Sequence, residues 1–122
     1  MDFNSKPELT IFIPVYNEVK NIDSLCSALF KVLVEVDRSF EVIIVDDGSR
    51  DGSFEKLIKI AKTEPRITII RFKKNFGQTA ALRAALEHSQ EELFIRMDSD
   101  LQNDPADIPK LLQKIDEGYD VV

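Results

Sequence analysis

The run Phe94-Ile95-Arg96-Met97-Asp98-Ser99-Asp100-Leu101-Gln102 starts apolar and ends in two carboxylates one residue apart. Along an extended backbone side chains alternate faces, so Asp98, Asp100 and Gln102 share one side while Ser99 and Leu101 take the other. Two carboxylates held this close repel each other unless a proton or a cation lies between them. Hard oxygen donors of this kind suit Mg²⁺ or Mn²⁺, which commonly bind one or two carboxylates together with substrate phosphates. The pattern points to a metal and diphosphate site. A bare Asp-x-Asp also reads as turn residues and helix caps in an acidic protein, and only its surroundings separate the two.

Three other polar clusters stand in comparable positions. Asp46-Asp47-Gly48-Ser49 follows a β-branched run, Pro14-Val15-Tyr16-Asn17-Glu18 follows another, and Lys73-Lys74-Asn75-Phe76-Gly77 follows a third. A carboxylate after the second run can accept hydrogen bonds from a base N–H or from ribose hydroxyls, although the same residues are ordinary turn chemistry. Tyr16 and Glu18 offer a ring to pack on a base and a carboxylate to bond to it. Lys73 and Lys74 are more often solvated than phosphate-binding. Arg71 and Arg96 read equally well as ion-paired neighbours on adjacent strands. His88 sits at the tail of a helical pattern, where it complements the dipole, and takes no catalytic role. The usual dinucleotide and P-loop glycine fingerprints are missing from the sequence.

The elements that must carry these clusters follow from two alternating periodicities. Leu9 to Pro14, Phe40 to Val45, Ile67 to Ile70 and Leu93 to Met97 are compact apolar or β-branched runs expected as buried strands. Between them, helical spacing places Ile22, Leu25, Cys26, Leu29, Val32, Leu33 and Val36 on one face of a helix capped by Asn21. A second helix, capped by Asp51, carries Phe54, Leu57, Ile58 and Ala61 on its inner face, and Pro65 closes it. An alanine-rich helix runs from about Thr79 to His88. A last helix follows Asp104-Pro105 or Asp107-Ile108-Pro109 and stops at Gly118, and Tyr119 to Val122 begins a fifth strand. Strands alternating with helices in this way predict an α/β, doubly wound, mainly parallel Rossmann-like sheet with helices on both faces. Ligands of such sheets bind beyond the carboxyl ends of the strands, where all four clusters fall.

Composition limits the classes that remain. With 122 residues and 43% hydrophobic content the chain fits one domain, residues 9–122, behind a tail of residues 1–8. A net charge of −6 argues against a broad nucleic-acid surface, so an anionic ligand needs a metal or a few placed cations. The single cysteine, Cys26, lies in an apolar helical pattern and reads as core. Neither an apolar run of membrane-spanning length nor a signal-peptide pattern is present, which points to a soluble, cytoplasmic chain.

Taken together, Pro14-Val15-Tyr16-Asn17-Glu18, Val45-Asp46-Asp47-Gly48-Ser49-Arg50-Asp51-Gly52, Asn75-Phe76-Gly77-Gln78-Thr79-Ala80-Ala81-Leu82 and Met97-Asp98-Ser99-Asp100-Leu101-Gln102-Asn103-Asp104-Pro105, with Ile108-Pro109 beyond, resemble the family 2 glycosyltransferases of the GT-A fold. The likeness is strongest to the polyprenyl-phosphate group, which includes dolichyl-phosphate mannose synthases and bacterial undecaprenyl-phosphate glucosyltransferases. It implies transfer of a sugar from a nucleotide-diphosphate donor, a UDP- or GDP-sugar, to a polyprenyl phosphate acceptor, with Mg²⁺ or Mn²⁺ as cofactor. It implies that Pro14, Tyr16, Glu18 and Asp46 line the nucleoside pocket. It further implies that Asp98 lies near ribose and metal, that Asp100 and Gln102 ligate the ion, and that Asp98 and Asp100 form the catalytic pair. The full-length protein is then expected at the cytoplasmic face of a membrane.

Members of that family continue beyond the position of Val122 with an acceptor-binding segment and often with membrane helices. These residues are therefore expected to form the donor-binding part, truncated at its C-terminus, inactive alone and prone to form homo-oligomers through the open sheet edge. Two other readings stay open. A noncatalytic nucleotide-binding or interaction module would bind without turnover, and a phosphoacceptor receiver domain would carry its paired acids after the first strand and a phosphorylatable Asp after the third.

Overall fold

The computed structural model describes residues 9–34, 39–88 and 93–96. They form β1 (Leu9–Val15), α1 (Val19–Leu33), β2 (Phe40–Asp46), α2 (Ser53–Thr63), β3 (Ile67–Arg71), α3 (Gln78–His88) and β4 (Leu93–Arg96). The four strands make one parallel sheet in the order β3-β2-β1-β4. The predicted last helix and fifth strand lie outside the described residues, as do Met97 and Val36.

The strand order decides between the candidate folds. A receiver-type sheet runs 2-1-3-4-5, whereas the classic dinucleotide-type half runs 3-2-1-4, and this chain has the second arrangement. Its direction of winding reverses between β1 and β4. The loop leaving β1 and the chain leaving β4 at Arg96, two residues ahead of Asp98, flank that point.

Alternation along each strand sorts the core into two layers. Ile11, Ile13, Val15, Val42 and Ile44 face α1 and α2, where they pack with Ile22, Leu25, Leu29, Leu33 and Leu57. Phe12, Ile43 and Val45 face the other way, onto Ala81 and Ala85 of α3. Helices therefore cover both faces, and small alanines let α3 approach the sheet closely. Cys26 is buried as expected, and burial, assisted by the nearby Asp23 carboxylate, pushes its thiol pKa up to about 11.

Three expectations need correction. Helix α1 starts at Val19, not after Asn21, because its first amides are capped from another loop: Val19 N–H donates to Asp51 Oδ2 (3.1 Å) and Glu18 N–H to Ser53 Oγ (3.1 Å). On α2, Ile60 joins Leu57 and Ala61 against the core, while Ile58 stays half-buried at its margin. Arg71 and Arg96 are not neighbours, since β3 and β4 occupy opposite ends of the described sheet. Arg71 instead stacks on Phe54, its guanidinium carbon 4.0 Å from the ring centroid, and Arg96 donates to Gln78 Oε1 at 2.8 Å.

Candidate functional site at the carboxyl edge of the sheet

Register brings the strand ends level. Asp46 pairs with Val15 on one side and Arg71 on the other, so the loops after β1, β2 and β3 leave the sheet from one line. The ladder runs one step further. Asp47 N–H donates to Val15 O (2.8 Å), and Phe72 N–H donates to Asp46 O (2.9 Å).

Short polar side chains then stitch the loops to one another. Asn17, in the left-handed region at φ 52°, donates its amide to Ser49 Oγ (2.8 Å) and accepts Arg50 N–H on Oδ1 (2.9 Å). Asp51 serves two helices at once, taking Val19 N–H on Oδ2 and Ser53 N–H on Oδ1 (3.0 Å). The slight desolvation of exposed Asp51 alone would raise its pKa; bonds from the Ser53 hydroxyl and from the Val19 and Ser53 amides outweigh it and hold the carboxyl below its usual value.

On the β3 side, Asp47 anchors the loop that opens α3. Its Oδ1 accepts Phe76 N–H (2.7 Å), and its Oδ2 accepts Gly77 N–H (2.9 Å) and Asn75 Nδ2 (3.0 Å). Gly48 lets that loop close. At φ +80°, a Cβ on Gly48 would lie 2.5 Å from the Lys74 carbonyl carbon and 2.7 Å from Asn75 N, which no side chain tolerates.

The sequence-predicted nucleoside residues fall around this edge. Asp46 is fully buried; its Oδ1 accepts Ser49 N–H (3.1 Å), and among the described residues its Oδ2 has no hydrogen-bond partner. A buried acceptor left open in this way is costly unless something else fills it. Tyr16 is 48% exposed at the end of β1, and Pro14 is half-buried opposite Val45. Glu18 is half-buried, with Oε2 accepting Asn21 Nδ2 at 2.8 Å. Sequence reasoning gave Asp51 only as a cap of the second helix and assigned no stitching role to Asn17, Ser49 or Ser53, although the density of Asp, Asn, Ser and Gly in these segments is the composition such bonds require.

Asp98, Asp100 and Gln102 lie outside the described residues. Their oxygen-only donor set suits a hard divalent ion. Among the described residues no group of three or more His, Cys, Asp or Glu side chains could hold a metal.

A doubly wound parallel sheet of order 3-2-1-4, with acidic loops at its carboxyl edge, defines a Rossmann-like α/β domain, and the solved structures it resembles are GT-A glycosyltransferases. The family model described as "Glycosyl transferase family 2" matches residues 10–122, and the chain belongs to that family. An undecaprenyl-phosphate 4-deoxy-4-formamido-L-arabinose transferase of Pseudomonas aeruginosa is 40% identical over 115 residues, which are 93% of this chain and 34% of the relative. The chain thus spans about a third of that curated relative's length. Among solved structures, a mannosyltransferase from Pyrobaculum calidifontis, in complex with GDP-Man and Mn²⁺, aligns with a TM-score of 0.65 and 28% identity over 80% of this chain and 28% of that one. The UDP complex of glucosyl-3-phosphoglycerate synthase from Mycobacterium tuberculosis reaches a TM-score of 0.73 over 93% of this chain and 41% of that one. At 22% identity that likeness speaks for the fold alone.

Proposed function

We propose that these residues form the donor-binding part of a glycosyltransferase that moves a sugar from a nucleoside diphosphate, a UDP- or GDP-sugar, to a polyprenyl phosphate. The observation that carries this reading is the open Oδ2 of buried Asp46, set between the loops after β1 and β3 at the ligand edge of the sheet. In this reading a base N–H fills that acceptor, while Pro14, Tyr16 and Glu18 wall the nucleoside pocket. Asp98 stands near the ribose, and Asp100 and Gln102 hold Mg²⁺ or Mn²⁺ against the diphosphate. When bound, the ion neutralises charge on the departing nucleoside diphosphate. The acceptor is an anion already and attacks the anomeric carbon without strong base assistance. Similarity to the undecaprenyl-phosphate transferase supports the acceptor class, and the GDP-Man and Mn²⁺ complex of the Pyrobaculum relative supports donor and ion.

Residues acting at the cytoplasmic face of a membrane would have access to both substrates. Among the described residues no helix is long and apolar enough to cross a membrane. Thermal unfolding with UDP-, GDP-, CDP- and dTDP-sugars, with and without Mn²⁺, tests the reading, because a ligand that binds only the native state raises its apparent stability. At least one nucleotide should raise the midpoint in a Mn²⁺-dependent way. A flat response across the whole panel would overturn the donor-binding reading.

A further inference from the structure

We infer that Asp47 is a positioning residue for nucleoside recognition, acting through Asp46 without touching the ligand itself. The inference rests on the reading of Asp46 as an acceptor for the base.

Consecutive residues on an extended backbone project to opposite faces, so the two carboxylates cannot share a task. Even-numbered Val42 and Ile44 face α1 and α2, while Ile43 and Val45 face α3. That alternation sends Asp47 to the α3 side, where it takes amide donors from Phe76 and Gly77 and the side chain of Asn75. Asp46 is sent to the other side. Its backbone is gripped from both flanks: its carbonyl accepts Phe72 N–H, and the next amide, Asp47 N–H, reaches Val15 O.

These bonds fix the direction of the Asp46 side chain. With Oδ1 tied to Ser49 N–H, a turn of the backbone at residue 47 or 48 would carry Oδ2 away from its present place at the carboxyl edge of the sheet or into a protein partner. Asp47 prevents that turn. Its three donors hold the loop of residues 74–77 against Gly48, where the two backbones lie so close that no Cβ fits between them. The open acceptor is therefore maintained from the opposite face of the sheet.

A double-mutant cycle separates this role from simple stabilisation. The ligand is whichever of UDP, GDP, CDP and dTDP the parent binds most tightly, and titration calorimetry is run well below every variant's unfolding midpoint. Asp47→Asn should raise Kd about tenfold in the parent, and less than about twofold when Asp46→Asn is already present. A general loss of structure would raise Kd in both backgrounds, and that result overturns the inference. So does an unchanged Kd in Asp47→Asn with a lowered midpoint, which leaves Asp47 as a helix cap alone. If Asp47→Asn does not fold, Asn75→Ala removes one of the three donors and should give the same pattern with a smaller amplitude. Failure of the parent to bind any of the four nucleotides overturns the donor reading itself, a result distinct from binding by the parent with an uncoupled cycle.

Discussion

Asp46 and Asp47 are neighbours in the chain and both buried, yet Asp47 receives three hydrogen bonds on its two oxygens while Asp46 has one oxygen bonded and one open among the described residues. The asymmetry predicts opposite responses to mutation. Asp47→Ala strands the amides of Phe76 and Gly77 and frees the start of α3, a loss on the order of 2–4 kcal/mol for charge-assisted bonds. Asp46→Asn removes a buried charge that is only half satisfied, and its stability should lie within about 1 kcal/mol of the parent. Urea unfolding of both variants checks the difference, and equal losses would contradict it.

Gly48 and Gly77 offer a second contrast. Both have positive φ, +80° and +96°, so alanine at either pays left-handed strain of roughly 1–2 kcal/mol. Only Gly48 has backbone against it; around Gly77 a Cβ meets nothing within 4 Å. Gly48→Ala should therefore destabilise clearly more than Gly77→Ala, and it should also loosen the Lys74 to Gly77 loop. Hydrogen exchange at the Phe76 and Gly77 amides reads that loosening directly.

The strands were legible because β-branched runs such as Val42-Ile43-Ile44-Val45 carry a local signal; Pro14, expected to stop the first strand, lies instead within β1, which continues to Val15, and exposed Pro65 follows the end of α2. The parallel, two-faced architecture followed from their alternation with helical patterns. The beginning of α1 was not legible in the same way: its caps, Asp51 and Ser53, lie more than thirty residues away, and no local reading finds them. The division of labour between Asp46 and Asp47 was hidden for a similar reason. Composition marks both as acids at a strand end, but only the approach of Asn75, Phe76 and Gly77 shows that one of them is spent on the fold. Arg71 and Arg96 were misread as neighbours because strand order, which chain order does not reveal, puts β3 and β4 apart.

Asp51 predicts a pH dependence. Its folded pKa is depressed below the ordinary 3.8, so the ionised form is the one the fold prefers. The stability it contributes is complete above the unfolded value and is lost as pH falls through the lower, folded value. Asp51→Asn should lower the unfolding midpoint at pH 7, and the gap to the parent should close as the pH is taken from 4 down to 2. A gap that stays constant over that range would show that the charge of Asp51 contributes nothing to the caps of α1 and α2.

The last prediction divides the proposed donor site into its two halves. The nucleoside half is assigned to Asp46, whose substitution by Asn keeps the shape but replaces an acceptor oxygen or sets an N–H against the base. Affinity for a nucleoside monophosphate should fall by about 1–3 kcal/mol, the usual cost of one lost buried bond, whether or not Mn²⁺ is present. The diphosphate half is assigned to Asp100, and Asp100→Ala should weaken binding of the diphosphate strongly with Mn²⁺ and hardly at all without it. Nucleoside monophosphate binding without Mn²⁺ should survive that second change. Titration calorimetry of the two variants against mono- and diphosphate, with and without the ion, gives eight affinities in which the two losses fall in different places. If Asp46→Asn binds the monophosphate as well as the parent does, Asp46 is a turn residue. If Asp100→Ala shows the parent's response to Mn²⁺, the ion is held by other residues.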